Sequence, residues 1–161
     1  MNLTQLLDKL DLQEEEMKIL IQDLNADQLN YEPLSGKWSI RLHLAHLGRY
    51  HEVFLLRLRQ IMKDEMPMFE RYKSEWDAGF SDWMPMSVSD IWNKMNAIRS
   101  QIKKHLKDLT ELELGRQGNH PRLGSMDVIA WFEFFTLHES HHIYSIFRMV
   151  KMRIWETTKA N

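Results

Sequence analysis

The pentapeptide HESHH, at residues 138–142, satisfies two metal-binding patterns at once. One is the H-E-x-x-H signature of zinc peptidases, in which Glu139 would be the catalytic base. The other is a plain pair of histidines, His138 and His142, four positions apart. Side chains with this spacing lie about one helical turn apart on the same face, so two imidazoles can reach one ion. Either pattern needs a further ligand from elsewhere in the chain.

The peptidase interpretation lacks the residues that would complete it. Extended motifs of this class place a third histidine six positions after the second, and here that position is Arg148. Ser145 stands at the glycine position of the same motif, and Glu156 is the only carboxylate side chain after His142. These peptidases also usually hold substrate against the edge of a sheet, and the sequence shows no convincing strand pair. We therefore interpret the H-E-x-x-H match as chance.

The histidine pair belongs to a predicted fourth helix that begins near Ser125. At about 100° per residue, His138 and His142 lie about 40° apart around the helix axis. They share this sector with apolar residues at helical spacing, which are Trp131, Phe135, Ile146 and Met149. His141 instead points to the side of Ser140 and Arg148. We therefore predict that His138 and His142 face the core.

A third ligand is sought on the predicted second helix, where the segment HLAHLGRYH contains His43, His46 and His51. His51 falls near the centre of the apolar stripe of this helix, and His46 lies nearer the edge of the stripe. Periodicity slightly favours His51 as the buried residue. Spacing alone does not choose among the three histidines.

The rest of the chain indicates helices separated by few prolines and glycines. Apolar residues at 3.6-residue spacing predict helices at about residues 2–24, 39–63 and 87–109, before the one that begins near residue 125. Ser39 and Ser87 are placed to cap the second and third helices. The predicted fold is an all-α antiparallel four-helix bundle, one domain over residues 1–161, with a long crossover connection between helices two and three. Metal sites are commonly assembled inside such bundles.

Composition excludes several classes of function. The formal net charge is −2 and the basic residues are dispersed, so no phosphate-binding patch is expected and nucleic acid is not a predicted partner. The chain has no cysteine, which rules out a disulfide framework and leaves histidine and carboxylate side chains as metal ligands. Neither a basic, apolar leader nor a run of about 20 apolar residues is present. We therefore expect a cytoplasmic protein that does not interact with a membrane.

Three segments resemble the DinB/YfiT-like superfamily in order and spacing. They are KWSIRLHLAHL at residues 37–47, HPRLGS at residues 120–125 and HESHHIYSI at residues 138–146. The resemblance implies a four-helix bundle, often dimeric, in which one histidine of the second helix and two of the last bind a divalent ion such as zinc or nickel. Transferred to the matching positions of this chain, the implied metal ligands are His46, His138 and His142.

The resemblance also implies a functional class. Family members with assigned roles include thiol-dependent transferases and isomerases that use bacillithiol, mycothiol or glutathione-like cofactors. This chain departs from the family pattern at Ser145, where glutamine is frequent, and at Arg49 and Tyr50, where acidic residues are frequent. These departures concern the substrate rather than the metal.

The chemistry of such a site favours an enzyme. Three neutral imidazoles leave a divalent ion its full charge and an open coordination position, as in catalytic zinc sites. We therefore predict a metal-dependent, thiol-using transferase or hydrolase that acts on a small molecule, with a low-molecular-weight thiol as a candidate co-substrate. The alternative is a non-catalytic, metal-binding dimeric bundle with an interaction or stress-response role.

Two further expectations concern the surroundings of the site. Glu139 and His141 are expected on a solvated helix face rather than as partners of the ligands. The crossover segment MPMFERYKSEWDAGFSDWMPM, residues 66–86, is rich in methionine and aromatic residues. Such a segment could pack on its own bundle, line a substrate pocket or form a dimer interface, and with the resemblance it supports the prediction of a homodimer.

Overall fold

The chain forms four long helices joined by shorter helices and one pair of strands. The computed structural model describes residues 1–33 and 36–157, so residues 158–161 of the predicted domain lie outside the described residues. In the described part, the long helices are α1 (Leu3–Ile21), α3 (Ile40–Lys63), α5 (Val88–Lys107) and α7 (Val128–Lys151). The shorter elements are α2 (Ala26–Asn30), a 3-10 turn (Ser74–Trp76), α4 (Ala78–Trp83), α6 (Glu111–Leu114), β1 (Gln117–His120), β2 (Gly124–Asp127) and α8 (Ile154–Thr157).

The helix caps explain where the long helices start. Asn2, Ser39, Ser87 and Asp127 each accept a hydrogen bond from a backbone N–H in the first turn that follows. Such a bond satisfies a donor that has no partner within the helix. The caps predicted at Ser39 and Ser87 are confirmed.

The long helices form an all-α four-helix bundle, as predicted. Helix α3 runs antiparallel to α7, since ring contacts join the start of α3 to the second half of α7 and the middle of α3 to the first half of α7. Helices α3 and α5 run in the same direction, because the contacts Glu52–Lys94 and Arg59–Gln101 advance together along both. Two consecutive helices that lie parallel require a chain segment that returns along their length. Residues 64–87, with the 3-10 turn and α4, form this return.

The crossover packs on its own bundle through three buried rings, those of Phe69, Phe80 and Trp83. Trp83 lies so close to α3 that a Cβ atom added at Gly48 would be 2.1 Å from the indole ring. The indole N–H donates to the Glu52 carboxylate over 3.0 Å. Glycine at residue 48 therefore allows α3 and the crossover to approach each other.

A two-stranded hairpin precedes the last helix, and the expectation that the chain has no strand pair is wrong. Strands β1 and β2 pair antiparallel, and the helix predicted to begin near Ser125 begins at Val128 instead. At the turn, the ring of His120 accepts hydrogen bonds from the N–H groups of Arg122 and Leu123, and Gly124 adopts a φ of 75°. Strands of four residues are too short to show a two-residue periodicity in the sequence.

A single apolar cluster fills the bundle and supports the histidine-bearing end of it. All four long helices contribute to this cluster, and its aromatic centre is formed by Phe54 of α3 with Phe132 and Phe135 of α7. Phe54 and Phe135 stack with ring centroids 4.3 Å apart. Among the described residues, no helix is both long and apolar enough to cross a bilayer.

Candidate metal site

Three imidazoles from α3 and α7 meet near one end of the bundle. His46 comes from the first half of α3, and His138 and His142 come from successive turns of α7. The Nε2 atom of His138 lies 3.0 Å from Nε2 of His46 and 3.3 Å from Nε2 of His142. One ligand atom from each ring lies within 4.8 Å of the others. The antiparallel contact between α3 and α7 thus brings together the three residues that the resemblance implied.

The spacing of these nitrogen atoms fits a metal ion. Zinc binds imidazole nitrogen at about 2.0–2.1 Å, so two ligands of a tetrahedral ion lie about 3.3 Å apart. A hydrogen bond between two neutral imidazoles uses one donor and one acceptor, which leaves a third converging nitrogen unsatisfied. The donor set therefore suits one divalent cation.

Burial keeps the three rings neutral. Burial, together with the neighbouring His138, lowers the pKa of His46 to about 3. Burial, together with the exposed His141, lowers the pKa of His138 to about 4. The pKa of His142 is lowered for the same first reason, with His138 and His46 as additional causes. Neutral imidazole is the form that binds a metal.

His43 is a fourth imidazole at the edge of the site. Its Nδ1 atom lies 2.9 Å from Nδ1 of His142, so one of these two nitrogens donates a proton to the other. The second hydrogen bond of a metal-binding histidine commonly fixes the orientation of its ring. His43 was one of three candidates on α3, and the structure places it behind His142 rather than within the cluster of three.

His51 is fully buried but faces away from the cluster. Its Nδ1 atom donates to the backbone carbonyl of Leu47 over 2.7 Å, and its Nε2 atom lies 3.9 Å from the Glu139 carboxylate. The position of His51 near the centre of the apolar stripe slightly favours it over His46 as the buried histidine, yet both are buried. Of these two, only His46 lies on the side of α3 that meets His138 and His142.

Aromatic rings enclose the cluster. The rings of Trp38 and His46 have centroids 4.8 Å apart, and those of Tyr50 and His138 have centroids 4.0 Å apart. Phe80 and Tyr72 of the crossover also contact His46. These residues could not be placed around the histidines from the sequence. The enclosure lowers the local polarity, which strengthens electrostatic interactions at the site.

Two clefts reach the cluster from different sides. The larger, about 850 Å³, is bordered by His142, His43 and Trp38 and also by charged groups that include Lys37, Glu75 and Arg148. The smaller, about 340 Å³, reaches His138 and is bordered by arginine and tyrosine side chains. Ser145, one of the departures from the family pattern, lines the larger cleft. Both openings are large enough to admit a small molecule or part of one.

Glu139 does not face the three-histidine cluster, and its predicted location on a solvated helix face is wrong. Its carboxylate is completely buried and forms an ion pair with Arg99 of α5. Burial raises the pKa of this carboxyl, and the Arg99 guanidinium opposes the shift. Arg99 also donates a hydrogen bond to the Leu10 carbonyl over 2.8 Å. Its burial was not predicted from the sequence. Its position within the apolar stripe of Ile91, Met95, Ile98 and Ile102 is the signal that could have indicated it.

Three further residues, His141, Arg49 and Tyr50, lie beside the cluster or next to residues that contact it. His141 is exposed, as predicted. Arg49 binds Asp77 of the crossover through two hydrogen bonds of 2.6 and 3.0 Å and also pairs with Glu52. Arg49 therefore holds the crossover against α3, while its neighbour Tyr50 contacts His138.

Comparison with known proteins identifies relatives of the same size and shape. Residues 9–146 match the family model of the DinB superfamily. A protein of Oceanobacillus iheyensis, provisionally named a metal-dependent hydrolase, is 26% identical over 140 residues, which cover 86% of this chain and 80% of that protein.

Solved structures share the fold. YfiT from Bacillus subtilis, described as a "probable metal-dependent hydrolase with an unusual four-helix bundle topology", superposes with a TM-score of 0.81 at 18% identity, over 93% of this chain and 86% of that one. The four-helix bundle protein TT2238 superposes with a TM-score of 0.68 at 13% identity, over 90% of this chain and 98% of that one. At these identities, the likeness concerns the fold.

Proposed function

This chain belongs to the DinB superfamily, and from that premise we propose that it is a metal-dependent enzyme acting on a small molecule. His46, His138 and His142 hold one divalent ion, zinc or nickel, and the reaction is a hydrolysis or a transfer to a low-molecular-weight thiol. The observation that supports this proposal is the convergence of three neutral imidazole nitrogens, at 3.0 and 3.3 Å, in an aromatic enclosure that two clefts reach.

An ion at this position would act as a Lewis acid, lowering the pKa of a water molecule or thiol that reaches it. The chain provides the surroundings. With Nε2 of His142 on the ion, its Nδ1–H would donate a hydrogen bond to Nδ1 of His43, which would fix the orientation of the His142 ring. Trp38 covers His46 and limits the access of bulk water. With no cysteine in the chain, no thiol of the protein carries a covalent intermediate.

The choice between water and thiol is a choice between two co-substrates at one site. Hydrolysis is supported by the provisional name of the Oceanobacillus iheyensis relative. The thiol alternative is supported by the larger cleft, whose volume of about 850 Å³ accommodates a second molecule beside the electrophile. Turnover of an activated ester, measured with and without a panel of low-molecular-weight thiols, separates the two.

Metal content is the test of the site. Purified protein loaded with zinc or nickel should hold about one ion per chain by elemental analysis, and the His46→Ala, His138→Ala and His142→Ala variants should lose it. His141→Ala, an exposed neighbour on the same helix, is the matched control and should retain the ion. Unchanged metal content in His46→Ala, or loss of metal in a folded His51→Ala variant, would show that the ligand set is wrong.

Activity must then follow the ion. The metal-loaded protein should turn over the ester faster than the metal-free protein and faster than His138→Ala, with Leu137→Ala, exposed on the same helix, as the control. Equal rates from wild-type protein and His138→Ala, with metal present only in the first, would favour the non-catalytic dimeric bundle instead.

A further inference from the structure

The smaller cleft, here called the arginine cleft, brings together three guanidinium groups from distant parts of the sequence. Arg57 comes from α3, Arg71 from the crossover and Arg122 from the hairpin turn. His120 and the ligand-bearing His138 line the same cleft. Among the residues that the structure describes, no aspartate or glutamate borders it, although the chain as a whole has a net charge of −2. A concave site with one sign of charge attracts and concentrates ions of the other sign.

Arg57 is the informative member of this group. It is only 8% exposed, and its guanidinium lies against the rings of Phe69 and Trp131, at 5.4 and 5.3 Å from their centroids. Its Nη2 atom donates to the backbone carbonyl of Glu70 over 2.8 Å. Within the described parts of the chain, no carboxylate forms an ion pair with Arg57, Arg71 or Arg122. A buried charge usually has a partner of opposite sign.

Two other shielded arginines of this protein follow that rule. Arg99 is paired with Glu139, and Arg49 is paired with both Asp77 and Glu52. Arg57 differs because the described residues around it provide aromatic faces, a carbonyl and the Tyr50 hydroxyl, but no anion. The cleft beside it, at about 340 Å³, has room for a small anionic group.

We propose that the arginine cleft binds a carboxylate or phosphate group of the substrate and thereby places the reacting part of that molecule against His138. The inference rests on the proposed function and makes it more specific, since it assigns the substrate to the class of small anions. Guanidinium groups bind carboxylate and phosphate through paired, charge-assisted hydrogen bonds. Neutral or cationic analogues of the same size would leave Arg57 unpaired and bind less well.

The experiment measures anion binding directly, without turnover. Succinate and inorganic phosphate are titrated into metal-free protein by calorimetry, and the imidazole signals of His120 are followed by NMR. Saturable binding of at least one anion is expected, with shifts at His120 and weaker binding at higher salt. Succinamide, the neutral analogue of succinate, should not bind. The anion that binds more tightly identifies the group as carboxylate or phosphate.

Variants locate the binding site. The double variant Arg71→Gln with Arg122→Gln changes two exposed side chains and should fold normally while losing at least tenfold in affinity. Arg57→Gln should have the same effect. Arg148→Gln, in the larger cleft, and Arg59→Gln, exposed on α3, are the matched controls and should bind as the wild type does.

The outcomes separate this inference from the proposed function. Anion binding to metal-free protein that depends on Arg71 and Arg122 supports the arginine cleft even if the three histidines hold no metal. Absence of saturable binding of both anions, or loss of binding in Arg148→Gln alone, overturns it. Binding that appears only with metal and is unchanged in the arginine variants places the anion on the ion and overturns the cleft, while supporting the metal site.

Discussion

Two adjacent residues of α7, His138 and Glu139, contact different parts of the protein. His138 points to the three-histidine cluster, while Glu139 is fully buried against α5, where it pairs with Arg99. Residues next to each other on a helix are separated by about 100°, so one can contribute to a site and the other to the core. The H-E-x-x-H match therefore combines two unrelated roles in this protein. Glu139 stabilises the bundle and does not act as a peptidase base.

Replacing Glu139 by Ala should destabilise the protein by about 3–5 kcal/mol, because the buried Arg99 guanidinium loses its counter-charge. Urea unfolding measures the change in the free energy of unfolding. Glu133, on the same helix as Glu139, forms a partly exposed ion pair with the N-terminal amino group of Met1. Glu133→Ala removes this pair and should lower the free energy of unfolding by less than about 1 kcal/mol.

A double variant, Glu139→Leu with Arg99→Met, removes both charges of the pair. It should recover much of the stability lost by Glu139→Ala, since an apolar pair of similar volume can replace a buried ion pair. A loss in Glu139→Ala no larger than in Glu133→Ala would contradict the assigned role.

Among the elements, the contact of α3 with the crossover sets the position of the site. Gly48 lies one turn from His51 and two positions from His46, and the Trp83 ring occupies the space where a side chain would begin. Asp77 and Glu52 bind Arg49 at the same junction. The crossover residues Tyr72 and Phe80, which contact His46, are placed by this packing.

Gly48→Ala should therefore destabilise the protein, by about 1–3 kcal/mol, despite the higher helix propensity of alanine. The added Cβ would lie 2.1 Å from the Trp83 ring, which is fully buried and has little room to move. Thermal and urea unfolding measure the change. Gly115→Ala is the control, because its added Cβ meets no atom closer than 3.4 Å.

Combining Gly48→Ala with Trp83→Leu makes room for the methyl group. The two changes should couple, so that the double variant is more stable than the sum of the single effects predicts. Strict additivity would show that the steric contact is not the cause.

At the scale of the whole molecule, the histidines link stability to pH. In the metal-free protein, burial lowers the pKa of His46 to about 3 and that of His138 to about 4, from 6.5. The unfolded chain therefore binds more protons than the native protein between pH 6.5 and about 4. Stability contributed by these neutral rings is fully present above pH 6.5 and decreases as the pH falls through this window.

The expected slope is at most about 1.4 kcal/mol per pH unit for each histidine. Urea unfolding of chelator-treated protein at several pH values between 4 and 7 measures it. His138→Gln should show a shallower slope than the wild type, and His141→Gln, which removes only a secondary cause of the His138 shift, should reduce the slope less. Carboxylates contribute equally to all three proteins, so parallel curves for His138→Gln and the wild type would refute the prediction.

We also propose that the protein is a homodimer through its crossover. Met68 and Trp76 are 76% and 78% exposed, which is unusual for side chains of this size. Sedimentation at micromolar concentration should show a species of twice the chain mass of 19.4 kDa. Met68→Lys with Trp76→Lys should shift it to monomer.

The control for the dimer lies on another face. Phe147→Lys, on the exposed side of α7, should leave the dimer intact. The dimer would be disproved if sedimentation of the wild type showed no species other than the 19.4 kDa monomer. If Phe147→Lys alone dissociated the dimer, its interface would lie on the exposed side of α7 instead.

Local information in the sequence determined the helices and part of the chemistry. Apolar periodicity located the four long helices, and capping residues such as Ser39 and Ser87 marked two of their starts. The absence of cysteine limited the ligands, and the spacing of His138 and His142 put both on one face of α7. These features depend on residues close in the chain, where helix geometry is fixed by the backbone.

Tertiary packing decided what periodicity could not. The angle of a residue around its own helix does not give the rotation or offset of the helix opposite, so His46 could not be separated from His43 and His51 by spacing. The same limit concealed the burial of Glu139, because its partner Arg99 is 40 positions away. The hairpin was too short to produce a pattern. The arginine cleft joins three segments that only the folded chain brings together, since side chains distant in sequence meet through packing alone.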